Sequence, residues 1–321
     1  MQKQVNIEEL LEISAIQKKR YRVKTITPLM MHGWNEQPRG ANPVAETRAA
    51  SIKGVYRYWW RILQYETKNY KDLFQKEGKL FGHAANQSNK SKVMISIPVN
   101  EVNKGYNAVS RPHKKNTSKD VSAIINKEFD IDLSVYQKDS KHFEEFKAYF
   151  ELMLLLAGFG QRSRRGAGAL QQTEKKFHSI EDYKAEIQNL LQKINKMKYF
   201  NTKLNSPHHL LQVKENIPLS QSPTLRSIWI GKAFNSGEAA RKAISNAGHE
   251  ANKIDLKNNQ RYLGNVVFNK KIRVASPLIA TVREIGGKYY PIISEVITIN
   301  QNHETYIKAK NDFLQWVGVK V

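Results

Sequence analysis

The chain contains no cysteine. Disulfides, thiolate nucleophiles and cysteine-based zinc or iron–sulfur centres are therefore excluded. It also lacks any apolar run near the ~18 residues needed to span a bilayer. The greasiest stretch, residues 152–159, is interrupted by Gly158 and reads as the end of a core helix. The first residues, MQKQVNIEELLEI, hold three glutamates where a signal peptide needs a basic start and an apolar stretch, so a cytoplasmic location is expected. Acid is scarce overall: 29 Asp and Glu stand against 52 Lys and Arg, a formal charge of +23. Such an excess selects a polyanion as partner, either nucleic acid or an acidic membrane surface. What is present is enough for a sizeable core: 40% of the 321 residues are hydrophobic and 10% aromatic, the content of one large or two ordinary domains.

Residues 18–31 (KKRYRVKTITPLMM) alternate basic and apolar, which places Tyr21, Val23, Thr25 and Thr27 on one face of a strand. Pro28 makes the end of that strand an edge or an exit. A Gly-, Pro- and Asn-rich loop follows over 32–45, then a helix from about Ser51. Further strands are predicted over 92–99 and 227–234, and a hairpin over 273–282 and 289–299 closed by Gly286-Gly287. Helices are predicted over 142–157, 182–198, 236–253 with Ser236 as N-cap, and 303–317. Residues 100–120 form a long polar, basic loop. Residues 201–224, with three prolines and His208-His209, are the linker between a domain over 1–200 and one over 225–321. Each half reads as strand–helix–strand–strand–helix, which points to an α+β chain of two ferredoxin-like (RRM-like) domains in tandem with inserted loops.

Two stretches carry the candidate chemistry. In the loop GFGQRSRRGAGAL, glycines bracket Arg162, Arg164 and Arg165. Its backbone amides can form an anion nest and its guanidinium groups can fork onto phosphate oxygens; otherwise it is a mobile loop with solvated arginines. The spacing matches neither a Walker A loop nor a dinucleotide fingerprint. In the helix SIKGVYRYWWRILQYE, at about 100° per residue, Lys53, Arg57, Arg61 and Trp60 share one side, opposite Ile52, Val55, Tyr56, Trp59, Ile62 and Leu63. That side is either a phosphate track with a stacking tryptophan, or a solvated face whose Trp60 is covered by another segment. Gly54 implies a close backbone neighbour.

Catalytic candidates are weak. His32, with Trp34 and Arg39, has the residue types of a metal-independent ribonuclease site. His208-His209 has no carboxylate partner for a metal, and between Pro28 and Ser51 stand Glu36 and Glu46 but no aspartate. Neither a metal nor any other cofactor is expected.

TPLMMHGW, ETRAASIKGVYRYWWRIL, KLFG at residues 79–82, GFGQRSRRGAGAL and RVASPLIATVREIGGKYYPII together resemble the RAMP superfamily of CRISPR effector proteins, and are similar to the first RAMP subunit of type III-B (Cmr) complexes. The resemblance implies a non-catalytic subunit, with guide RNA and target RNA and the other Cmr subunits as partners, near the guide's 3′ end. It implies RNA contacts at Arg48, Ser51, Lys53, Arg57, Arg61 and the loop from Gly160 through Arg162, Arg164, Arg165 and Gly166 to Gly168. Trp60 joins that set only through its helical angle. The alternative is a guide-processing RAMP endoribonuclease with His32 as base.

Overall fold

The computed structural model describes residues 16–33, 44–67, 69–83, 90–99, 104–105, 107–109, 121–201, 204, 206–251, 262–267, 272–301 and 304–320. Trp34, Glu36, Arg39 and most of the 100–120 loop lie outside this set.

Strand β1 (Ile16–Thr25) keeps the parity its sequence dictates: Tyr21, Val23 and Thr25 are buried, while Lys18, Lys19 and Arg20 are exposed. Helices α1 (Ala49–Arg61) and α2 (Tyr70–Phe81) follow, then β2 (Val93–Ser96), β3 (Glu128–Tyr136), α3 (Phe143–Leu156) and β4 (Leu170–Gln172). Neither α2 nor β3 was among the predicted elements. Yet β3 alternates cleanly, with Phe129, Ile131, Leu133 and Val135 wholly buried. It pairs antiparallel with β1 from Ile16↔Tyr136 to Lys24↔Glu128. The four strands lie in the order β2–β3–β1–β4. Because β1 is internal, Pro28 marks its exit and not an edge.

Helix α4 (Ile180–Lys193) leads to a second sheet, made of β5 (His209–Gln212), β6 (Thr224–Ile230), β7 (Leu278–Ile285) and β8 (Lys288–Ile297). Its order is β7–β8–β6–β5. Helices α5 (Gly237–Glu250) and α6 (Glu304–Trp316) belong to this unit. Gly286 and Gly287, at φ +56° and +74°, close the β7–β8 hairpin, since this turn needs two left-handed residues. Ser236 caps α5 by accepting from the Ala239 amide at 3.1 Å. The architecture is thus mixed α and β, with two four-stranded antiparallel sheets among the described residues. The position beside β1 that β4 fills is taken, beside β6, by β5, which precedes β6 in the chain. In strand order the second unit is not a copy of the first, and the stretch predicted as linker supplies a strand of its sheet.

The second sheet has both faces covered. Ile228, Ile230, Ile279 and Ile292 join a core with Phe146, Phe150 and Met153 of α3. The alternate residues Trp229, Leu278, Ala280 and Ile293 join Ile244 of α5 and Phe313 of α6. The layers therefore run sheet, helices, sheet, helices. The outer face of the first sheet is polar, and its cations are matched. Arg20 bonds Asp132 at 2.8 Å, Arg22 reaches Asp130 at 3.2 Å, Lys18 reaches Asp132 at 3.5 Å, and Lys24 reaches Glu284 at 2.7 Å. No helix among the described residues is long and apolar enough to cross a membrane.

Candidate nucleic-acid interface

The chain leaving β1, the N-terminus of α1 and the glycine-rich loop between α3 and β4 meet at one end of the first sheet. Arg48 occupies the N-cap of α1 and makes no side-chain cap, and the first turn carries no acid. By contrast, Asn69 caps α2 and Ser179 caps α4. The positive end of the α1 dipole is thus reinforced by a cation instead of being neutralised. The Arg48 guanidinium donates to the His32 carbonyl at 3.0 Å and lies 3.4 Å from Glu46. Ser51 is half-buried in the first turn.

Further along α1, Lys53 donates to Ser91 Oγ at 2.8 Å, and burial lowers its ammonium pKa from the ordinary lysine value. Arg57 bonds Glu77 at 2.7 Å, and Arg61 lies 3.6 Å from the same carboxylate. Glu77 comes from α2 and is nearly buried, so one acid holds two neighbouring cations that would otherwise repel. Both guanidinium groups still keep about a third or more of their surface in solvent (36% and 42%).

Trp60 is not the exposed stacking surface that its helical angle implied. It is 4% exposed, and its ring meets Phe81 of α2 edge-on at 5.8 Å. Helix α2 crosses that side of α1 and covers it. Gly54 has no close backbone neighbour either; it is exposed, with nothing within 4 Å of where a Cβ would stand.

The glycine-rich loop differs from both of its expected forms. It is ordered by protein contacts, buried at both ends and half-buried to exposed over residues 160–165, and it clamps the two units together. The Gln161 amide donates to Met30 O at 2.7 Å, Gly168 to Pro28 O at 2.9 Å and Gly166 to Ala280 O at 2.8 Å. Those amides are occupied and cannot serve as an anion nest. The glycines allow close approach of protein, not ligand. A Cβ on Gly160 (φ +76°) would stand 2.5 Å from Met30 O, one on Gly166 (φ +80°) 2.9 Å from Ile244, and one on Gly168 (φ +66°) would collide with Phe159 O. Arg165 turns into the second unit. It donates to Leu263 O, packs on Gly248 and lies 5.9 Å from the Phe313 ring, and burial lowers its pKa to about 10. It is therefore a structural tie and leaves the set of candidate phosphate ligands. Arg162 is half-buried with φ +58°.

Arg164 joins the two candidate elements. Its guanidinium lies 5.0 Å from the centre of the Tyr58 ring on α1 and donates to Ser276 O of the second unit. His32 also binds across: its Nε2 stands 3.0 Å from Ser122 O, and its Nδ1 is 3.3 Å from the Gln161 amide nitrogen. Burial lowers the His32 pKa, and Nε2 facing the Ser122 carbonyl with Nδ1 facing the Gln161 side-chain nitrogen fits a ring that donates from Nε2 and accepts at Nδ1. Tyr58, Glu77, Ser122 and Gln161 escaped sequence reasoning, because each acts through a partner far away in the chain. Among the described residues no group of three or more possible ligands gathers at His208-His209. His208 bonds Ile230 O at 3.0 Å, and His209 stacks on Trp229 at 5.2 Å with its pKa pushed down to about 4 by burial.

Residues 22–171, spanning the first sheet, the basic helix and the glycine-rich loop, match the model of the RAMP superfamily. Over that part the chain resembles a RAMP domain. The particular relatives are Cmr proteins. The chain is 28% identical over 180 residues to the CRISPR system Cmr subunit Cmr1-2 of Pyrococcus furiosus, covering 46% of this chain and 91% of that one. The fold resembles the crystal structure of apo Cmr1 from Pyrococcus furiosus, with a TM-score of 0.56, 16% identity and 88% of each chain covered. It also resembles a chain of the type III-B Cmr-β complex bound to cognate target RNA, with a TM-score of 0.56, 15% identity, and 94% of this chain and 99% of that one covered.

Proposed function

We propose that this chain is a non-catalytic, RNA-binding subunit of a type III-B CRISPR (Cmr) surveillance complex, holding the 3′ region of the guide RNA and the target RNA paired to it. The observation that carries this reading is the approach of Arg164 to Tyr58, which sets the glycine-rich loop beside the basic helix on one surface. Similarity to Cmr1 supports it, and so does the net charge of +23. Arg48, Lys53, Arg57, Arg61 and Arg164 then contact ribose-phosphate, while guide–target pairing reads sequence. The matched charges on the outer sheet face, and the absence of an aromatic among its residues 18, 20, 22 and 24, disfavour RRM-type stacking there. A non-catalytic role is supported by His32, whose two ring nitrogens are both engaged and whose lone pair points at Gln161, not at an open site.

The test is RNA affinity as a function of salt. With four of these five cations each neutralising a phosphate, log affinity falls with log salt at a slope of about −0.7 × 4, near −3. Lys53→Ala with Arg57→Ala is expected to weaken binding to all sequences alike and to reduce the slope's magnitude by about 1.4. An unchanged affinity and slope would remove α1 from the interface. Cleavage of repeat RNA in EDTA, lost on His32→Ala, would restore the ribonuclease reading.

A further inference from the structure

Helix α2 presents one stripe at helical spacing: Tyr70, Phe74, Glu77 and Phe81. Its C-terminal half packs on α1, where Phe81 meets Tyr56 and Trp60, and Glu77 meets Arg57 and Arg61. Toward the N-terminus this stripe continues past α1, leaving Tyr70 65% and Phe74 55% exposed while Leu73 beside them is buried. Successive α1 cations progress toward this open end. Arg57 touches both Phe81 and Glu77, and Arg61, one turn later, touches Glu77.

The open end is also built up. The His83 ring stacks on Phe74 with centres 5.8 Å apart and planes 26° apart. It folds back there because residue 78 is glycine, where a Cβ would collide with the His83 ring. Gly82, at φ +81°, ends the helix and turns the chain into that position. Phe74 and His83 stack, and Tyr70 stands one turn before Phe74 on the same exposed stripe.

We infer that Tyr70, Phe74 and His83 form a stacking platform for unpaired bases of a single RNA strand, whose phosphates lie along Arg57 and Arg61. This inference rests on the RNA-binding reading and gives it a site for bases, in the place of the buried Trp60. Charge selects the occupant. Lys71, Lys76 and Lys79 stand on α2 itself, and Arg57 and Arg61 flank it from α1, against Asp72 and Glu77, which favours a polyanion with flat faces over an apolar protein segment.

The experiment titrates the full chain with a fluorescein-labelled single-stranded oligoadenylate and with an RNA duplex of equal length, read by anisotropy. Phe74→Ala and Tyr70→Ala are each expected to weaken single-strand binding about ten-fold. The salt slope and duplex affinity should be unchanged, and Phe74→Trp should retain binding. Gly78→Ala should reproduce part of the loss by displacing His83, with its melting temperature measured alongside. Wild-type affinity in Phe74→Ala and Tyr70→Ala, with Lys53→Ala plus Arg57→Ala still weakened, overturns the platform and leaves the RNA-binding reading standing. Equal losses on strand and duplex overturn it too, as does failure of Tyr70→Ala with Phe74→Ala to assemble with other subunits at unchanged strand affinity. No binding of either RNA by the wild type would sink the functional reading itself.

Discussion

Arg283 is wholly buried on β7, yet its charge is provided for. Its guanidinium donates to Leu155 O at 2.8 Å, to Ala157 O at 2.9 Å and to Leu154 O, at the C-terminal end of α3. Those carbonyls are the ones a helix leaves without partners, and the helix dipole favours a cation there. Burial lowers the Arg283 pKa only to about 10, so the charge persists at neutral pH. Since α3 leads directly into the glycine-rich loop, this side chain of the second unit holds the loop's starting point. Arg283→Met is expected to cost more than about 3 kcal/mol, because several buried carbonyls lose their donor together. Arg283→Lys should recover only part, an ammonium being unable to span the same acceptors. Urea midpoints at constant m-value check both.

Among the elements, the glycine-rich loop best shows how one motif admits two physical meanings. Left-handed glycines beside arginines serve an anion nest or a tight protein junction equally well, and here the neighbouring backbone selects the junction. Two glycines with similar φ separate the energies. Gly168→Ala incurs the left-handed penalty of ~1–2 kcal/mol plus a collision with Phe159 O. Gly287→Ala, with nothing within 4 Å of its Cβ position, incurs the penalty alone. Thermal denaturation should therefore rank Gly168→Ala well below Gly287→Ala; equal losses would mean the loop is loosely packed. Helix α1 follows the same logic. Its apolar and basic sides are as its periodicity predicts, but α2 decides which residues of the basic side meet water.

For the molecule as a whole, a single core runs through both units, since the inner face of the second sheet packs on α3 of the first. The charges follow this layering. On the outer sheet face Lys18, Arg20, Arg22 and Lys24 are matched by Glu128, Asp130, Asp132 and Glu284, so the excess of +23 lies elsewhere. A chain ending at residue 200 should expose Phe146, Phe150 and Met153 and leave the α3 carbonyls without Arg283. It is expected to aggregate or to be digested rapidly in limited proteolysis, whereas the full chain resists. A stable, monomeric 1–200 fragment would refute the shared core.

Patterns carried by a few consecutive residues were legible without coordinates. The alternation in β1, the phenylalanine spacing of α3, the Ser236 cap and the Gly286-Gly287 turn all involve neighbours in the chain, and their energies depend little on what packs nearby. The β3 alternation is of the same local kind. The candidate site was legible in its cations and not in their roles. Whether Trp60 faced water, whether Arg57 and Arg61 stood alone, and whether Arg165 pointed at phosphate or into the second unit all turned on residues 16 to 98 positions away: Phe81, Glu77, Leu263. Periodicity assigns a residue to a side of its own element. Only the packing of distant elements settles which sides are covered, because burial is a property of the neighbour that arrives and not of the helix that waits for it.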